Sequence, residues 1–259
     1  MGAISDLVPL ADLGLTDGRL LLAAAVFIVG GFLRGFIGFG SALVVVPVLS
    51  LAYGPRVGVA AFTVVEIAAI VRLLPDAVRH ADRRTTLPLI AAIALAAPLG
   101  TWALANIDVR LMKGVISGTV LAMVALIALN WRFRQAARMP VVLAAGALSG
   151  LIQGSTGVGG PPVVALFLSR PDPADTIRGN ILAGLGSLGL IVVVVYGVFG
   201  LLTPLVLWLG VLAMPPYLIA IGLGARYYSR EGNRFYRSAA LIVLAAIALA
   251  TLAATLTTG

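Results

Sequence analysis

Two charged side chains lie deep within long apolar stretches of the sequence, and their types suit them to chemistry inside a membrane. Arg34 lies in the stretch 20–53, and Glu66 lies near the middle of the stretch 57–74. A charge at the centre of a membrane costs about 2.5–3.5 kcal/mol on insertion scales, which favours a partner or a ligand. The two residues could form a structural ion pair. Alternatively, Arg34 could bind an anion, and Glu66 could carry a proton because burial disfavours its charged form.

A glycine motif with the spacing G-x3-G-x2-G-x-G occurs twice, 119 residues apart. Its copies are Gly31, Gly35, Gly38 and Gly40, and Gly150, Gly154, Gly157 and Gly159. Because glycine permits backbone paths that a Cβ atom forbids, each copy predicts a break between helices. The N-terminus of a helix at such a break carries partial positive charge and free N–H groups, which suit an anion. Simple packing of helices through small residues is the other interpretation, and the sequence leaves it open.

The candidate anion site combines the two motifs with the polar residues beside them. Gln153 occupies the place of Arg34 in the second copy, and small gaps align Thr63 with Asn180. Two hydroxyl groups precede Gly157, and two prolines follow Gly160 in positions suited to beginning a helix. The candidate substrate-binding residues are Arg34, Gly38, Gly40, Ser41, Thr63, Gln153, Ser155, Thr156, Gly157, Gly159, Gly160 and Asn180. Glu66 is the candidate for proton coupling.

Metal and cofactor chemistry find little support in the sequence. Cysteine is absent, and the one histidine, His80, lies in the Arg-rich segment 75–86, where a solvated loop residue is the ordinary interpretation. No HExxH, Walker A or dinucleotide motif occurs, so we expect neither a metal nor a cofactor. Aromatic residues near the ends of apolar stretches are expected to anchor the chain at the membrane surfaces. They are Trp102, Trp131, Trp208, Tyr53, Tyr196 and Tyr217.

The composition excludes an ordinary water-soluble domain. Of the 259 residues, 61% are hydrophobic and 11% are charged, and the mean hydropathy is +1.09. Soluble domains are about a quarter charged, so this chain has too little polar surface for water. The net charge of +8 falls in short clusters between apolar stretches. We therefore expect a lipid bilayer, and no nucleic acid, as the partner of this charge.

Eight hydrophobic segments follow from the length that a helix needs to cross a bilayer, about 20 residues. Two of them, 20–53 and 140–168, are too long for one crossing, short for two and interrupted by glycine, so they predict broken, re-entrant hairpins. The predicted crossings are 57–74, 87–105, 111–131, 179–197, 203–224 and 238–256.

Basic residues in the connections predict the orientation of these segments. Twelve of the eighteen lie in 75–86, 132–138, 169–178 and 226–237. Cytoplasmic loops carry the excess of Lys and Arg, so these four connections are predicted to be cytoplasmic. This arrangement requires both hairpins to enter and leave on one side, and it places both termini outside the cytoplasm.

The sequence thus predicts an all-α polytopic membrane protein made of two inverted repeats. Each repeat has a broken hairpin followed by three crossings, an odd number that inverts the second copy. The predicted layout is an extracytoplasmic segment 1–19, a first repeat 20–131, a cytoplasmic linker 132–139 and a second repeat 140–259. Inverted repeats with broken segments at matching positions are typical of transporters that hold a substrate near the midplane.

The two glycine regions resemble those of the sulfite exporter TauE/SafE family, whose members have two related halves. The resemblance rests on the motifs 31–47 (GFLRGFIGFGSALVVVP) and 146–162 (GALSGLIQGSTGVGGPP) and extends over nearly the whole chain. Ser41 and Ala42 depart from the Gly-Gly or Gly-Pro pair expected in the first motif. The resemblance implies export of sulfite or a small organosulfonate, such as sulfoacetate, across the plasma (inner) membrane of a bacterium, without enzymatic activity.

Other functions stay open on the sequence alone. An uncoupled anion channel or facilitator would share the hairpins, because an inside-negative potential already favours the exit of an anion. An intramembrane lipid-pyrophosphate phosphatase would need several carboxylates, whereas the crossings contain only Glu66. The sequence does not determine the oligomeric state, for which a homodimer is one option.

Overall fold

The computed structural model describes residues 18–37, 40–129, 131–136, 138–226 and 250, with the backbone alone at 37 and 72–78. The described helices are α1 (Gly18–Ile37), α2 (Ser41–Tyr53), α3 (Pro55–His80), α4 (Arg83–Asn106), α5 (Val109–Ala128), α6 (Met139–Thr156), α7 (Gly160–Leu168), α8 (Ala174–Val198) and α9 (Pro204–Arg226). The predicted N-terminal segment, apart from its last two residues, and the predicted crossing 238–256, apart from residue 250, lie outside the described residues, as does Gly38.

The protein is a multi-pass membrane protein. Six of the described helices, α1, α4, α5, α6, α8 and α9, are long and apolar enough to cross a bilayer. Side chains are described for only part of α3, which contains the predicted crossing 57–74 and is not among the six. The described residues form helices joined by short connections, which confirms the predicted all-α class.

Each glycine region separates a long helix from a short one. The first region joins α1, with 20 residues, to α2, with 13, and the second joins α6, with 18, to α7, with 9. At 1.5 Å per residue, α1 and α6 approach the thickness of the hydrocarbon core, whereas α2 and α7 do not. The two arms of each predicted hairpin are therefore unequal in length. Each break lies beyond the middle of its apolar stretch.

Both short helices begin beside their long partners. A Cβ atom added at Gly30 would lie 3.5 Å from the carbonyl oxygen of Ser41, the first residue of α2. In the same way, a Cβ atom at Gly159 would lie 2.8 Å from the backbone nitrogen of Gln153. The chain therefore reverses at each break, and each break lies alongside the last turns of the long arm. Gly40 and Gly157 adopt left-handed backbone angles, with φ of 100° and 71°, which favour glycine.

The long arm of each hairpin packs against the fourth helix of the other half. A Cβ atom at Gly31 of α1 would lie 2.6 Å from the carbonyl oxygen of Tyr217 in α9. A Cβ atom at Gly150 of α6 would lie 2.6 Å from the carbonyl oxygen of Ile93 in α4. The backbones can approach this closely only because both positions are glycine. Gly31 and Gly150 are aligned in the two glycine motifs, so aligned residues make equivalent contacts in the two halves. The inversion of the repeats stays a prediction.

The relative directions of the helices match those in the predicted topology. Gly179 and Gly189 of α8 lie against His80 and Ile70 of α3, so these two helices are antiparallel. Gly31 and Gly35 of α1 lie against Tyr217 and Ile221 of α9, so α9 runs parallel to α1. A chain that crosses inward at α3 and outward at α8 must return inward at α9, as the distribution of basic residues requires.

Candidate functional site

Arg34 and Glu66, the two charged residues singled out in the sequence, form an ion pair. Arg34 lies in the last turn of α1, and its guanidinium donates a hydrogen bond to Oε2 of Glu66 in α3. Their side chains are 23% and 11% exposed. Each charge thus has a partner, which reduces the cost of holding it away from water.

The other carboxylate oxygen of Glu66 is held from two further helices. The hydroxyl of Tyr217 in α9 donates to Oε1, and the hydroxyl of Ser41 at the start of α2 lies 3.4 Å from the same atom. Tyr217 is fully buried, so its predicted role as a surface anchor is wrong. Tyr217 lies near the middle of the 23-residue helix α9. This position in the sequence was the available signal that it does not lie at a membrane surface. A buried tyrosine hydroxyl generally has a hydrogen-bond partner, and here that partner is Glu66.

A cavity of about 220 Å³ lies between the two helix breaks, with this cluster on its wall. Its other walls are mainly apolar side chains of α3, α5, α7 and α8. The predicted residues that line it are Arg34, Gly40, Ser41, Thr63, Glu66, Gln153, Gly157 and Gly160. The lining reaches the surface at Trp131, Arg132 and Leu168, which are all exposed. The structure therefore brings both glycine motifs to one enclosed site with an open end.

Gln153 presents hydrogen-bond donors to this cavity. Its side-chain oxygen accepts a hydrogen bond of 2.8 Å from the backbone N–H of Gly159, which fixes the orientation of the amide. The NH2 group has no protein acceptor among the described residues, and Gln153 lines the cavity. The amide therefore has two N–H donors beside the cavity that Arg34 also lines, while the pairing of Gln153 with Arg34 in one anion site stays a prediction.

The family model described as Sulfite exporter TauE/SafE matches residues 22–251. The chain belongs to the TauE/SafE family. No curated protein and no solved structure matches it. The family is one of membrane anion exporters, which agrees with the six long apolar helices.

Two predicted hydroxyl donors of this TauE/SafE chain are already engaged. The Ser155 hydroxyl donates to the carbonyl oxygen of Leu151 at 2.8 Å, and the Thr156 hydroxyl donates to that of Ile152 at 2.9 Å. Serine and threonine commonly make such bonds to the preceding turn of a helix. Because α6 continues to Thr156, neither side chain lines the cavity.

The start of α7 offers fewer backbone donors than the glycine motif suggests. The Gly159 N–H is bonded to Gln153, and Gly159 does not line the cavity. Pro161 and Pro162 have no backbone N–H group. Of the first three residues of α7, only Gly160 can therefore donate a backbone hydrogen bond to a ligand. The start of α2 supplies the N–H groups of Ser41 and Ala42, and both residues line the cavity.

Asn180 lies away from the cavity, at the turn between α3 and α4. Its side-chain oxygen accepts hydrogen bonds from the backbone N–H of Asp82 at 2.7 Å and from the Thr86 hydroxyl at 3.1 Å. Asp82 caps α4, and the hydrogen bond from Thr85, together with the backbone N–H of Arg84, holds the pKa of Asp82 below its ordinary value. Asn180 therefore orders this turn.

Tyr196 of α8 holds the end of α6. Its hydroxyl lies 3.0 Å from the carbonyl oxygen of Gln153 and 3.1 Å from that of Gly154. Carbonyls in the last turn of a helix have no partner farther along the helix, so a side-chain donor stabilises the break. Tyr196 is fully buried, and its predicted role as a surface anchor is also wrong, whereas Trp102, Trp131 and Trp208 are exposed.

Within the part of the chain that the structure describes, no group of three or more His, Cys, Asp or Glu side chains could hold a metal ion.

Proposed function

We propose that this protein exports a small sulfur-containing anion, sulfite or a C2 organosulfonate such as sulfoacetate, across a bacterial plasma membrane. The anion is held between the two helix breaks and is exposed alternately to each side. The observation that carries this proposal is the convergence of the Arg34 guanidinium and the Gln153 amide on one cavity with mainly apolar walls. We place the protein in the membrane as its basic residues predict, with the connections 75–86 and 132–138 facing the cytoplasm and both termini facing outward.

The ion pair gives the anion a defined competitor. Glu66 occupies part of the Arg34 fork, while Tyr217 and Ser41 hold the carboxylate in place. A sulfonate or sulfite oxygen can accept the remaining guanidinium N–H groups, since arginine has five in one plane. The Gln153 amide donates from the other break. A bound anion therefore weakens the hold of Arg34 on Glu66, and this change loosens the contact between α1 and α3.

A counterflow assay in liposomes tests the substrate class. Purified protein is reconstituted with each of sulfite, sulfoacetate, acetate and chloride inside, and the uptake of labelled sulfite or sulfoacetate is followed. We expect exchange with the sulfur anions to exceed exchange with acetate or chloride by about tenfold, because binding differences of about 1.4 kcal/mol suffice for this ratio. Equal rates for all four anions contradict the substrate class, and a flux far above carrier turnover indicates a channel.

Replacement of the carboxylate tests proton coupling. Glu66→Gln keeps the shape of the side chain and removes its charge, as protonation does. We expect wild-type efflux of the sulfur anion to move protons, detected with a pH-sensitive dye inside the liposomes. The variant is expected to retain exchange but to lose the proton signal, because the residue that changes protonation is gone.

Asp108→Asn is the control for that experiment. Asp108 caps α5 through hydrogen bonds from the backbone N–H groups of Arg110 and Leu111 and does not line the cavity. Its neutralisation is expected to leave the proton signal intact. If wild-type protein moves the anion without protons, then Glu66 has a structural role and the protein is an uncoupled facilitator driven by the membrane potential.

A further inference from the structure

A second arginine, Arg132, lines the open end of the cavity. The sequence places it among the basic residues that set membrane orientation, but its guanidinium donates to the carbonyl oxygen of Leu168, which lines the same cavity. Among the described residues, no carboxylate lies within salt-bridge distance of Arg132. Most of its N–H donors and its whole charge are therefore available to a ligand.

The segment that carries Arg132 is fixed to the turn after α7. The Phe133 backbone N–H donates to the Ser169 hydroxyl at 3.0 Å, and the Arg170 guanidinium lies 3.4 Å from the carbonyl oxygen of Ala136. Both contacts tie the segment that follows Arg132 to the turn after α7, so Arg132 is held beside the end of that helix.

The charges of the cavity can be counted from its lining. Arg34 and Glu66 offset each other as an ion pair, and within the part of the chain that the structure describes Arg132 is the one further charged residue in the lining. The described lining then carries a single positive charge, contributed by Arg132.

We propose that Arg132 is the entry residue for the transported anion and selects its charge, an inference that rests on the proposed function. Arg132 attracts the anion to the open end, and the anion then moves to Arg34 and Gln153. The single positive charge of the described lining matches a monoanion. Clefts lined by one sign of charge raise the local concentration of oppositely charged substrates in this way.

Arg132→Gln, compared with Arg134→Gln, tests this proposal. Both residues are exposed arginines of the same linker, but Arg134 does not line the cavity. For Arg132→Gln we expect KM for a sulfur monoanion to rise on the order of tenfold, with kcat nearly unchanged and with weaker dependence on salt. Arg134→Gln is expected to change neither. Arg132→Lys should restore most of the affinity because it restores the charge.

Thermal unfolding of each variant in detergent separates this role from a loss of structure. Equal effects of Arg132→Gln and Arg134→Gln, or a loss of kcat at constant KM, overturn the assignment of Arg132 while the proposed function stands. If Arg132→Gln unfolds, the lysine variant decides, since a KM that rises on the order of tenfold in a folded Arg132→Lys protein contradicts a role based on charge. If wild-type protein carries no anion, then the proposed function and this inference fail together.

Discussion

Replacement of Arg34 by alanine is expected to reduce transport of the sulfur anion by about a hundredfold. Hydrogen bonds to a charged group contribute about 1.5–3 kcal/mol each, and 1.4 kcal/mol corresponds to a factor of ten. The same change leaves Glu66 without its cation, so we also expect a lower unfolding temperature. The measurements are counterflow in liposomes and thermal unfolding in detergent.

A double variant distinguishes loss of the substrate site from loss of the ion pair. Arg34→Ala combined with Glu66→Gln removes both charges, so stability should return towards that of the wild type while transport stays low. Arg34→Lys keeps the charge but removes the planar fork, and we expect intermediate transport. If the double variant transports at the wild-type rate, Arg34 serves only to neutralise Glu66, and the proposed anion site is wrong.

Replacement of Gly150 by leucine is expected to disrupt the contact between α4 and α6. A Cβ atom there would lie 2.6 Å from the carbonyl oxygen of Ile93 and 3.0 Å from its Cα atom, and backbone atoms cannot move aside without separating the helices. Overpacking typically costs about 1–3 kcal/mol. For a chain of this size, we expect the unfolding temperature to fall by about 5–10 °C, measured by thermal unfolding of the purified protein.

Gly118→Leu provides the matched control. Gly118 lies in the middle of α5, is exposed and has no atom within 4 Å of a Cβ built on it. The substitution is the same in size and lies in another apolar helix, but it meets open space. We expect its unfolding temperature to stay within about 2 °C of the wild type. A similar loss in both variants contradicts the close α4–α6 contact as the cause.

Local signals in the sequence predicted the arrangement of the described helices well. Apolar length placed α4, α5, α8 and α9 close to their observed bounds, and the second glycine motif placed a break at Gly157. These features depend on neighbouring residues: the hydrophobicity of one helix, or a backbone angle that glycine adopts easily. The pairing of Arg34 with Glu66 was also one of the stated alternatives, because two buried opposite charges stabilise each other.

Features that depend on distant contacts could not be predicted in the same way. Tyr217 reaches Glu66 because α9 packs beside α3, and nothing in the sequence around Tyr217 specifies that neighbour. Asn180 aligns with Thr63, but it lies in the second turn of α8, about 9 Å from the start of that helix at 1.5 Å per residue. Its neighbour there is the turn between α3 and α4. Alignment between halves thus gives the position within a helix but not the neighbours at that position.

The contact between α1 and α9 has a consequence for the synthesis of the protein. Roughly 170 residues of chain separate the end of α1 from the start of α9. At roughly 5–20 residues per second, a ribosome needs on the order of ten to thirty seconds to make them. During that time Gly31 and Gly35 lack the surface of α9 on which they pack. Arg34 has no Glu66 partner until α3 has been made. The first half of the protein therefore completes its fold only after most of the second half has entered the membrane.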